Sequence, residues 1–190
     1  IKYELCGKII VATEQKELPI LERIMQRGKE NGLENLRFLD AEGIKNIEPH
    51  TAGIKAIQVP QAGIIDYKEV SLTYQNLLKE QGVNFHFNTK VLDALADGDK
   101  WRIRTSQEDV VADYVINCAG LYCDKIAKMF GINSNLKIIP FRGEYYELKE
   151  ERWSLVNHLI YPVPDPAFPF LGVHFTRMIN GGIEAGPNAV

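Results

Sequence analysis

The chain has 190 residues, of which 45% are hydrophobic and 25% charged, and its formal net charge is −3. This composition suits a globular protein with a substantial core, and the scattered lysines and arginines argue against a nucleic-acid-binding surface. No apolar run approaches the roughly 20 residues that span a bilayer, and no signal peptide opens the chain. We therefore predict a soluble, cytoplasmic protein with no nucleic-acid partner and no transmembrane segment.

The three cysteines are too few and too scattered for a disulfide framework. Cys6 lies far from the others, and Cys118 and Cys123 have no cluster of His or Cys near them. A metal site needs several such ligands at set spacings. The sequence therefore predicts no metal site and a reducing compartment.

Strands and helices alternate through the first sixty residues. The apolar, β-branched run "CGKIIVAT" predicts a buried strand. The next segment has apolar residues at helical spacing up to Gly32, which is suited to ending a helix in a left-handed conformation. Asp40 is placed to cap a short helix that Pro49 closes. Further strands are predicted at "LRFLD" and "IKAIQVP".

The stretch "DYKE" predicts the start of a longer helix. Asp66 stands at the capping position and Glu69 follows three residues later, an arrangement that can satisfy free N–H groups from both sides. We expect the helix to run from about Tyr67 to Gln81. Its predicted apolar face consists of Val70, Tyr74, Leu77 and Leu78.

Residues 83–120 carry a series of strand signals. "VNFHFNTK" and the residues after it predict strands, with turns at Asp97–Gly98 and at residues 106–109. The last run, "YVINCAG", is largely apolar and alternates poorly, which is typical of a central strand covered on both faces. It leads through a glycine turn into the helical segment "LYCDKIAKMFG", and ligands often bind at the carboxyl end of such a strand. Turns of this kind also end many strands for steric reasons alone.

From about Leu136 the chain is rich in strand signals, at "KIIPFRGEYYEL", "HLIYPV", "FLGVHF" and "GGIEAG". The run "FLGVHFTR" places a histidine and an arginine in apolar surroundings. If it forms a regular strand, His174 and Thr176 share one face while Arg177 points to the other. His174 and Arg177 then cannot both reach one pocket without a bulge.

These pieces resemble the FAD-dependent oxidoreductases related to D-amino acid oxidase, glycine oxidase and sarcosine oxidase. The resemblance rests on "GVNFHFNTKV" and "ADYVINCAGLYCDKIA" and extends over nearly the whole chain. Within that family, "PFRGEYYEL", "NHLIYPVPDPAFPFLGVHFTR" and "GPNAV" are similar to the branch that oxidises L-2-hydroxyglutarate. The resemblance implies an α/β fold in which part of an FAD-binding βαβ domain is interleaved with a substrate domain built on a large mixed β-sheet.

Mapped onto this sequence, the resemblance implies a first part of the substrate domain at residues 1–60. It implies a partial FAD-binding domain at residues 61–131 and the second part of the substrate domain at residues 132–190. The family's Gly-rich fingerprint, G-x-G-x-x-G, seats a pyrophosphate at a helix N-terminus but does not occur in these residues. We therefore expect a central fragment of a longer enzyme, inactive when taken alone.

The resemblance also implies four residues that contact the FAD cofactor. Val91 is similar to the family residue whose backbone meets the adenine, and Cys118, Ala119 and Gly120 lie along the strand end that borders the cofactor. Each has a structural alternative, because Val91 could simply pack in a strand and Gly120 could simply let the chain turn.

Oxidising a 2-hydroxy acid calls for a base near the hydroxyl and a cation near each carboxylate. The candidates are His158, His174, Arg142, Arg177, Tyr145, Tyr146 and Tyr161. We predict that His174 is catalytic, since histidine accepts a proton near neutrality, and that Arg142 and Tyr161 bind substrate. Arginine suits carboxylates because its planar fork binds two oxygens, although Arg142 could instead pair with Glu144 in a structural contact.

The leading functional hypothesis is oxidation of L-2-hydroxyglutarate to 2-oxoglutarate by hydride transfer to FAD, with a small 2-hydroxy acid as partner. One alternative is an FAD-dependent amine or amino acid oxidase of the glycine or sarcosine type, and another is a non-catalytic module. Oxygen, a quinone or another carrier would each serve as electron acceptor, and a quinone would imply peripheral membrane contact. Exposed sheet edges predict self-association.

Overall fold

The computed structural model describes residues 1–133, 135–168 and 170–189 of the chain. Its architecture is mixed α/β with a large mixed sheet, which confirms the predicted fold class. The chain divides into two compact units, Ile1–Asn76 with Arg142–Val190 and Leu77–Phe141. The domain boundaries expected at residues 60 and 131 stay predictions.

The first unit is built on a seven-stranded sheet, formed by β2 (Lys8–Ala12), β3 (Arg37–Asp40), β4 (Lys55–Val59), β9 (Gly143–Glu147), β10 (Leu159–Pro162), β11 (His174–Arg177) and β12 (Ile183–Ala189). The strand order in this sheet is β3-β4-β2-β10-β11-β12-β9. Strands β2 and β10 pair in parallel, and every other neighbouring pair is antiparallel. A separate two-stranded sheet joins β1 (Tyr3–Glu4) and β5 (Ile64–Ile65).

Helices α1 (Leu18–Glu30) and α2 (Ala41–Ile47) bury apolar side chains against the two faces of this sheet. From α1, Leu21 and Met25 pack in one cluster with Ile10 of β2. From α2, Ile44 packs in a second cluster with Ile9, the neighbouring residue on β2. Because successive strand residues face opposite ways, β2 is apolar on both sides, and the buried strand predicted there is confirmed.

The short helix α2 begins and ends as its sequence indicates. The Asp40 carboxylate accepts a hydrogen bond from the Gly43 backbone N–H at 2.8 Å, which satisfies one of the free donors of the first turn. At the other end, the fully buried carboxylate of Glu48 accepts hydrogen bonds from the backbone N–H groups of Asn157 and His158. It also accepts one from the His158 ring Nδ1 at 2.7 Å. Glu48 thereby joins the end of α2 to the start of β10.

Helix α3 (Tyr67–Glu80) lies where the capping signal predicts it. Asp66 caps it by accepting hydrogen bonds from the N–H groups of Lys68 and Glu69, at 2.9 and 3.1 Å. The Glu69 carboxylate accepts a hydrogen bond from the Lys2 N–H and not from the Asp66 N–H. Of the two capping interactions that the sequence predicts, only the one made by the Asp66 side chain is therefore present. The predicted apolar face of α3 is not buried, because every residue of the helix is half-buried or exposed. No helix within the described ranges is long and apolar enough to cross a membrane.

The second unit contains a three-stranded antiparallel sheet of β6 (Val91–Asp97), β7 (Lys100–Thr105) and β8 (Val110–Ala112), followed by helix α4 (Cys123–Met129). A tight turn at Gly98, whose φ is +61°, joins β6 to β7 close to the predicted position. The Trp101 indole of β7 meets the Phe130 ring edge-on, with centroids 4.8 Å apart. This aromatic contact holds the end of α4 against the sheet.

Two predicted strands of this unit are wrong. The segments 83–90 and 113–119 contain no strand, and Tyr114 and Ile116 in the second of them are 90% and 86% exposed. Within the described residues, β6, β7 and β8 pair only with one another. A strand without a neighbour leaves its N–H and C=O groups to water, so the apolar run "YVINCAG" stays irregular here.

Candidate functional site

The candidate catalytic residue His174 lies beside the candidate substrate residue Tyr161 on one face of the large sheet. Because Ile160 is opposite Phe175 in the antiparallel pair of β10 and β11, Tyr161 and His174 are direct cross-strand neighbours. Their rings stack with centroids 4.2 Å apart and an interplanar angle of 15°. Two residues selected separately from the sequence therefore form one contact.

The surroundings of His174 determine which ring nitrogen can act as a base. The side chain is only 7% exposed, and Nδ1 lies 3.0 Å from the carbonyl oxygen of Gly172. A carbonyl can only accept, so Nδ1 carries the proton and donates it. In the neutral ring the lone pair is then on Nε2.

The Nε2 atom is also accessible. It has no hydrogen-bond partner among the described residues, and the described part of the chain has no buried side-chain nitrogen or oxygen lacking a partner. The atom must therefore reach solvent. A buried imidazole with an oriented donor and an accessible lone pair has the arrangement of a general base.

Lys8 of β2 lies on the same face, on the other side of Tyr161. Its Nζ is 4.9 Å from the centroid of the Tyr161 ring, within the range of a cation–π contact. Strands β2 and β11 flank β10, so the ammonium and the imidazole approach the phenol ring from opposite sides. Burial lowers the pKa of Lys8.

The two arginines considered from the sequence lie elsewhere. Arg177, on the opposite sheet face from His174 by strand alternation, donates to the Glu4 carboxylate at 2.8 Å and to the Asn157 carbonyl at 2.9 Å. Arg142 precedes β9, is exposed, and forms an ion pair with Glu144. The structural contact considered for Arg142 is thus present, and its substrate-binding role stays a prediction.

The four residues assigned to the cofactor all belong to the second unit. Val91 is the half-buried first residue of β6, and Cys118, Ala119 and Gly120 form an exposed turn before α4. Asn117 shapes this turn, since its side chain accepts from the Ala119 N–H at 3.2 Å and donates to the Cys123 carbonyl at 2.8 Å.

The backbone of Gly120 leaves room for a close approach. Its φ is +54°, which L-residues rarely adopt, and a Cβ at this position would meet no atom within 4 Å. An exposed turn with open space at its glycine fits a flat group laid against the backbone. The cofactor role of these residues stays a prediction.

Sequence reasoning missed Lys8 and Asn117. For Lys8, the available signal was a charged residue at the start of an otherwise apolar strand. For Asn117, it was an asparagine two residues before Ala119, the spacing at which an Asn side chain can accept a hydrogen bond from the backbone N–H. Neither signal locates the residue relative to a distant strand or helix, so neither indicates a shared site.

The family model described as "FAD dependent oxidoreductase" matches residues 1–190. The L-2-hydroxyglutarate dehydrogenase of Indibacter alkaliphilus is 49% identical over 191 residues, covering 100% of this chain and 48% of that protein. The mitochondrial L-2-hydroxyglutarate dehydrogenase of Bos taurus is 44% identical over 202 residues, covering 100% of this chain and 44% of that protein. The chain thus spans about half the length of these curated relatives.

Solved structures share the fold at low sequence identity. The L-proline dehydrogenase from P. horikoshii superposes with a TM-score of 0.83 at 19% identity, over 98% of this chain and 49% of that one. The L-alpha-glycerophosphate oxidase from Mycoplasma pneumoniae, solved with FAD bound, has a TM-score of 0.83 at 22% identity, over 100% of this chain and 50% of that one. Identities this low establish the fold alone.

Proposed function

Because the chain belongs to the family of FAD-dependent oxidoreductases, we propose that its full-length protein oxidises L-2-hydroxyglutarate to 2-oxoglutarate. Relatives named for this activity are 41–49% identical over the whole of the chain. The observation that carries the proposal is the stacked pair of His174 and Tyr161, in which a carbonyl acceptor leaves the His174 Nε2 lone pair free and accessible.

The chemistry assigned to these residues is proton removal from the substrate hydroxyl. His174 accepts that proton at Nε2, and the Gly172 carbonyl keeps the ring oriented by holding the Nδ1 proton. FAD supplies the acceptor for the hydride that leaves C2. Tyr161, stacked on the imidazole, shields one face of the ring from water and positions the substrate beside it.

Val91, Cys118, Ala119 and Gly120 are proposed to hold part of the FAD. The exposed turn and the open space at Gly120 support this role, and the contacts of Asn117 keep the turn in shape. Arg142 is proposed as a substrate-binding cation in addition to its contact with Glu144.

The amine or amino acid oxidase alternative has weaker support. The solved structures named glycine oxidase are 17% and 20% identical to the chain, a level that speaks for a shared fold and not for a shared substrate. No contact made by the described residues favours an amine over a hydroxyl.

The test is anaerobic reduction of the flavin in the full-length protein. We expect L-2-hydroxyglutarate to bleach the flavin absorbance band, while the D-enantiomer, glycine and sarcosine leave it intact. Bleaching by glycine or sarcosine without bleaching by L-2-hydroxyglutarate would replace this function with the amine-oxidase alternative. A companion spectrum of the 190-residue chain, before and after adding FAD, shows whether these residues suffice to bind the cofactor.

We also propose a location in the cytoplasm, based on the composition of the chain. The names of the Bos taurus and Homo sapiens relatives include the word mitochondrial, so fractionation of cells that produce the full-length protein is the direct test. Recovery of the protein with an organelle or membrane fraction would overturn the proposal.

A further inference from the structure

Lys8 is a half-buried cation without a counter-ion. Among the described residues, no carboxylate lies within ion-pair distance of its ammonium, and burial alone accounts for the lowering of its pKa. A cation removed from water without a partner is unfavourable for folding. A bound anion would offset this cost by supplying the missing charge.

A cavity of about 340 Å³ opens beside Lys8. Lys8 and Tyr161 line it from the sheet, Arg27 lines it from helix α1, and Leu171 lines it from the segment after β10. His174 does not line this cavity, and the Tyr161 ring lies between the imidazole and the Lys8 ammonium. The cavity is therefore separate from the position proposed for the substrate beside His174.

The charged groups around the cavity are all cations. Lys8 and Arg27 line it, and none of the described lining residues is acidic. A neighbouring cavity of about 330 Å³ shares Ile24, Arg27 and Pro164 with it and adds Arg23, again without an acidic residue among those described. Both arginines are exposed, so solvent screens their charges more than that of Lys8. This arrangement favours an anion whose charged end lies at Lys8.

The remainder of the lining is apolar. Apart from Lys8, Arg27, Asn31, Tyr161 and Gly28, the side chains around the 340 Å³ cavity are aliphatic. A small polyanion would cover this aliphatic surface poorly, whereas an alkyl chain would remove it from water. A water molecule, with its single non-hydrogen atom, occupies about 30 Å³ of the liquid, so the cavity takes a ligand of about ten such atoms. A carboxylate with eight carbons has this size.

We propose that this cavity binds a medium-chain fatty carboxylate, with the carboxylate paired to Lys8 and the alkyl chain against the aliphatic lining beside α1. The Tyr161 ring, 4.9 Å from the ammonium, holds Lys8 at the cavity through the cation–π contact. This binding site goes beyond the proposed function and does not depend on it, because binding is measured without turnover.

The test is calorimetric binding of octanoate to the full-length protein and to its Lys8→Met variant. We expect Lys8→Met to bind octanoate at least about 10-fold more weakly than the wild type, since it loses the charged partner of the carboxylate. Octan-1-ol has the same chain without the charge and should bind weakly and equally to both proteins. Octylamine should not bind the wild type. Equal octanoate affinity in the two proteins, or equal binding of octanoate and octylamine to the wild type, would overturn the inference.

The length of the alkyl chain tests the apolar half of the site. Each methylene group removed from water should tighten binding about fourfold, so affinity should rise steadily from butanoate through hexanoate to octanoate. An affinity that does not change along this series would show a site for the carboxylate alone and would overturn the assignment to a fatty carboxylate.

Lys55 provides a matched control for the loss of a lysine. It also lies on a strand over an aromatic ring, 4.1 Å from the centroid of Phe38, but it is paired with Glu22 at 3.4 Å and does not line the cavity. Lys55→Met should therefore bind octanoate as the wild type does. A loss as large as that in Lys8→Met would mean that net charge and not the cavity governs binding, and would overturn the inference.

His174→Gln separates this cavity from the proposed substrate position. Because His174 does not line the cavity, His174→Gln should bind octanoate with the wild-type affinity. A loss of octanoate affinity in His174→Gln as large as that in Lys8→Met would place the ligand beside the imidazole and overturn the separate site. Binding that depends on Lys8 alone supports the site whether or not the protein oxidises L-2-hydroxyglutarate.

Discussion

The imidazole of His174 lies stacked on the phenol ring of Tyr161, with centroids 4.2 Å apart, and donates its Nδ1 proton to the Gly172 carbonyl. One nitrogen is thereby fixed as a donor and the other as a lone-pair acceptor. This pair is the basis of the first prediction.

His174→Gln in the full-length protein should slow flavin reduction by L-2-hydroxyglutarate by about 10²- to 10⁴-fold, the usual contribution of a general base. Glutamine can still donate to the Gly172 carbonyl but cannot accept the substrate proton. Stopped-flow absorbance of the flavin band measures the rate. His50→Gln, at an exposed histidine, serves as the control, and a wild-type rate in His174→Gln would remove the base assignment.

Arg142→Gln distinguishes a substrate contact from a structural one. The side chains of Arg142 and Glu144 are 72% and 47% exposed, so their ion pair should contribute at most about 1 kcal/mol to stability. If Arg142 binds a carboxylate, Arg142→Gln should lower kcat/KM at least about 10-fold while Glu144→Gln changes it little. Equal activity in the two variants would leave Arg142 with its structural contact only.

Gly120→Ala tests the proposed cofactor turn. An alanine at φ +54° costs about 1–2 kcal/mol of backbone strain, and its methyl group would occupy the open space beside the turn. We expect weaker FAD binding, measured by quenching of flavin fluorescence. Gly98→Ala is a matched control, because φ is +61° and the added Cβ again meets nothing. If both variants lose FAD affinity equally, backbone strain and not position explains the effect.

Glu48→Ala should lower the free energy of unfolding by about 3–5 kcal/mol, as expected when one partner of a buried charged contact is removed. The change leaves the Nδ1 of His158 and two backbone N–H groups without their acceptor. Thermal unfolding of the full-length protein measures the loss. Glu22→Ala, which removes only an exposed ion pair with Lys55, should have little effect, and an equally small effect at Glu48 would contradict the prediction.

Lys8→Met should stabilise the folded protein at neutral pH. Burial makes the folded-state pKa of Lys8 lower than its usual 10.5, so the unfolded chain binds the proton more tightly and the wild type is penalised below the folded-state pKa. That penalty disappears as the pH rises from the folded-state pKa to 10.5. The advantage of Lys8→Met should therefore shrink over that range, and a pH-independent difference in unfolding free energy would contradict burial as its cause.

The sequence by itself determined the local elements. Asp40 and Asp66 mark helix starts because a capping carboxylate acts on N–H groups within three residues. The alternation in β11 likewise separates His174 from Arg177 without reference to any other strand. Motif resemblance pointed to the oxidoreductase family in the same way, from contiguous residues.

The tertiary structure decided which side chains meet and which segments become strands. Lys8, Tyr161 and His174 come from distant parts of the chain, and only the strand order β2-β10-β11 and its register place them on one face of the sheet with Tyr161 between the other two. Register depends on pairing between distant segments, which no local pattern encodes. For the same reason "YVINCAG" could look like a buried strand and yet remain irregular, because a strand exists only where a neighbour accepts and donates its hydrogen bonds.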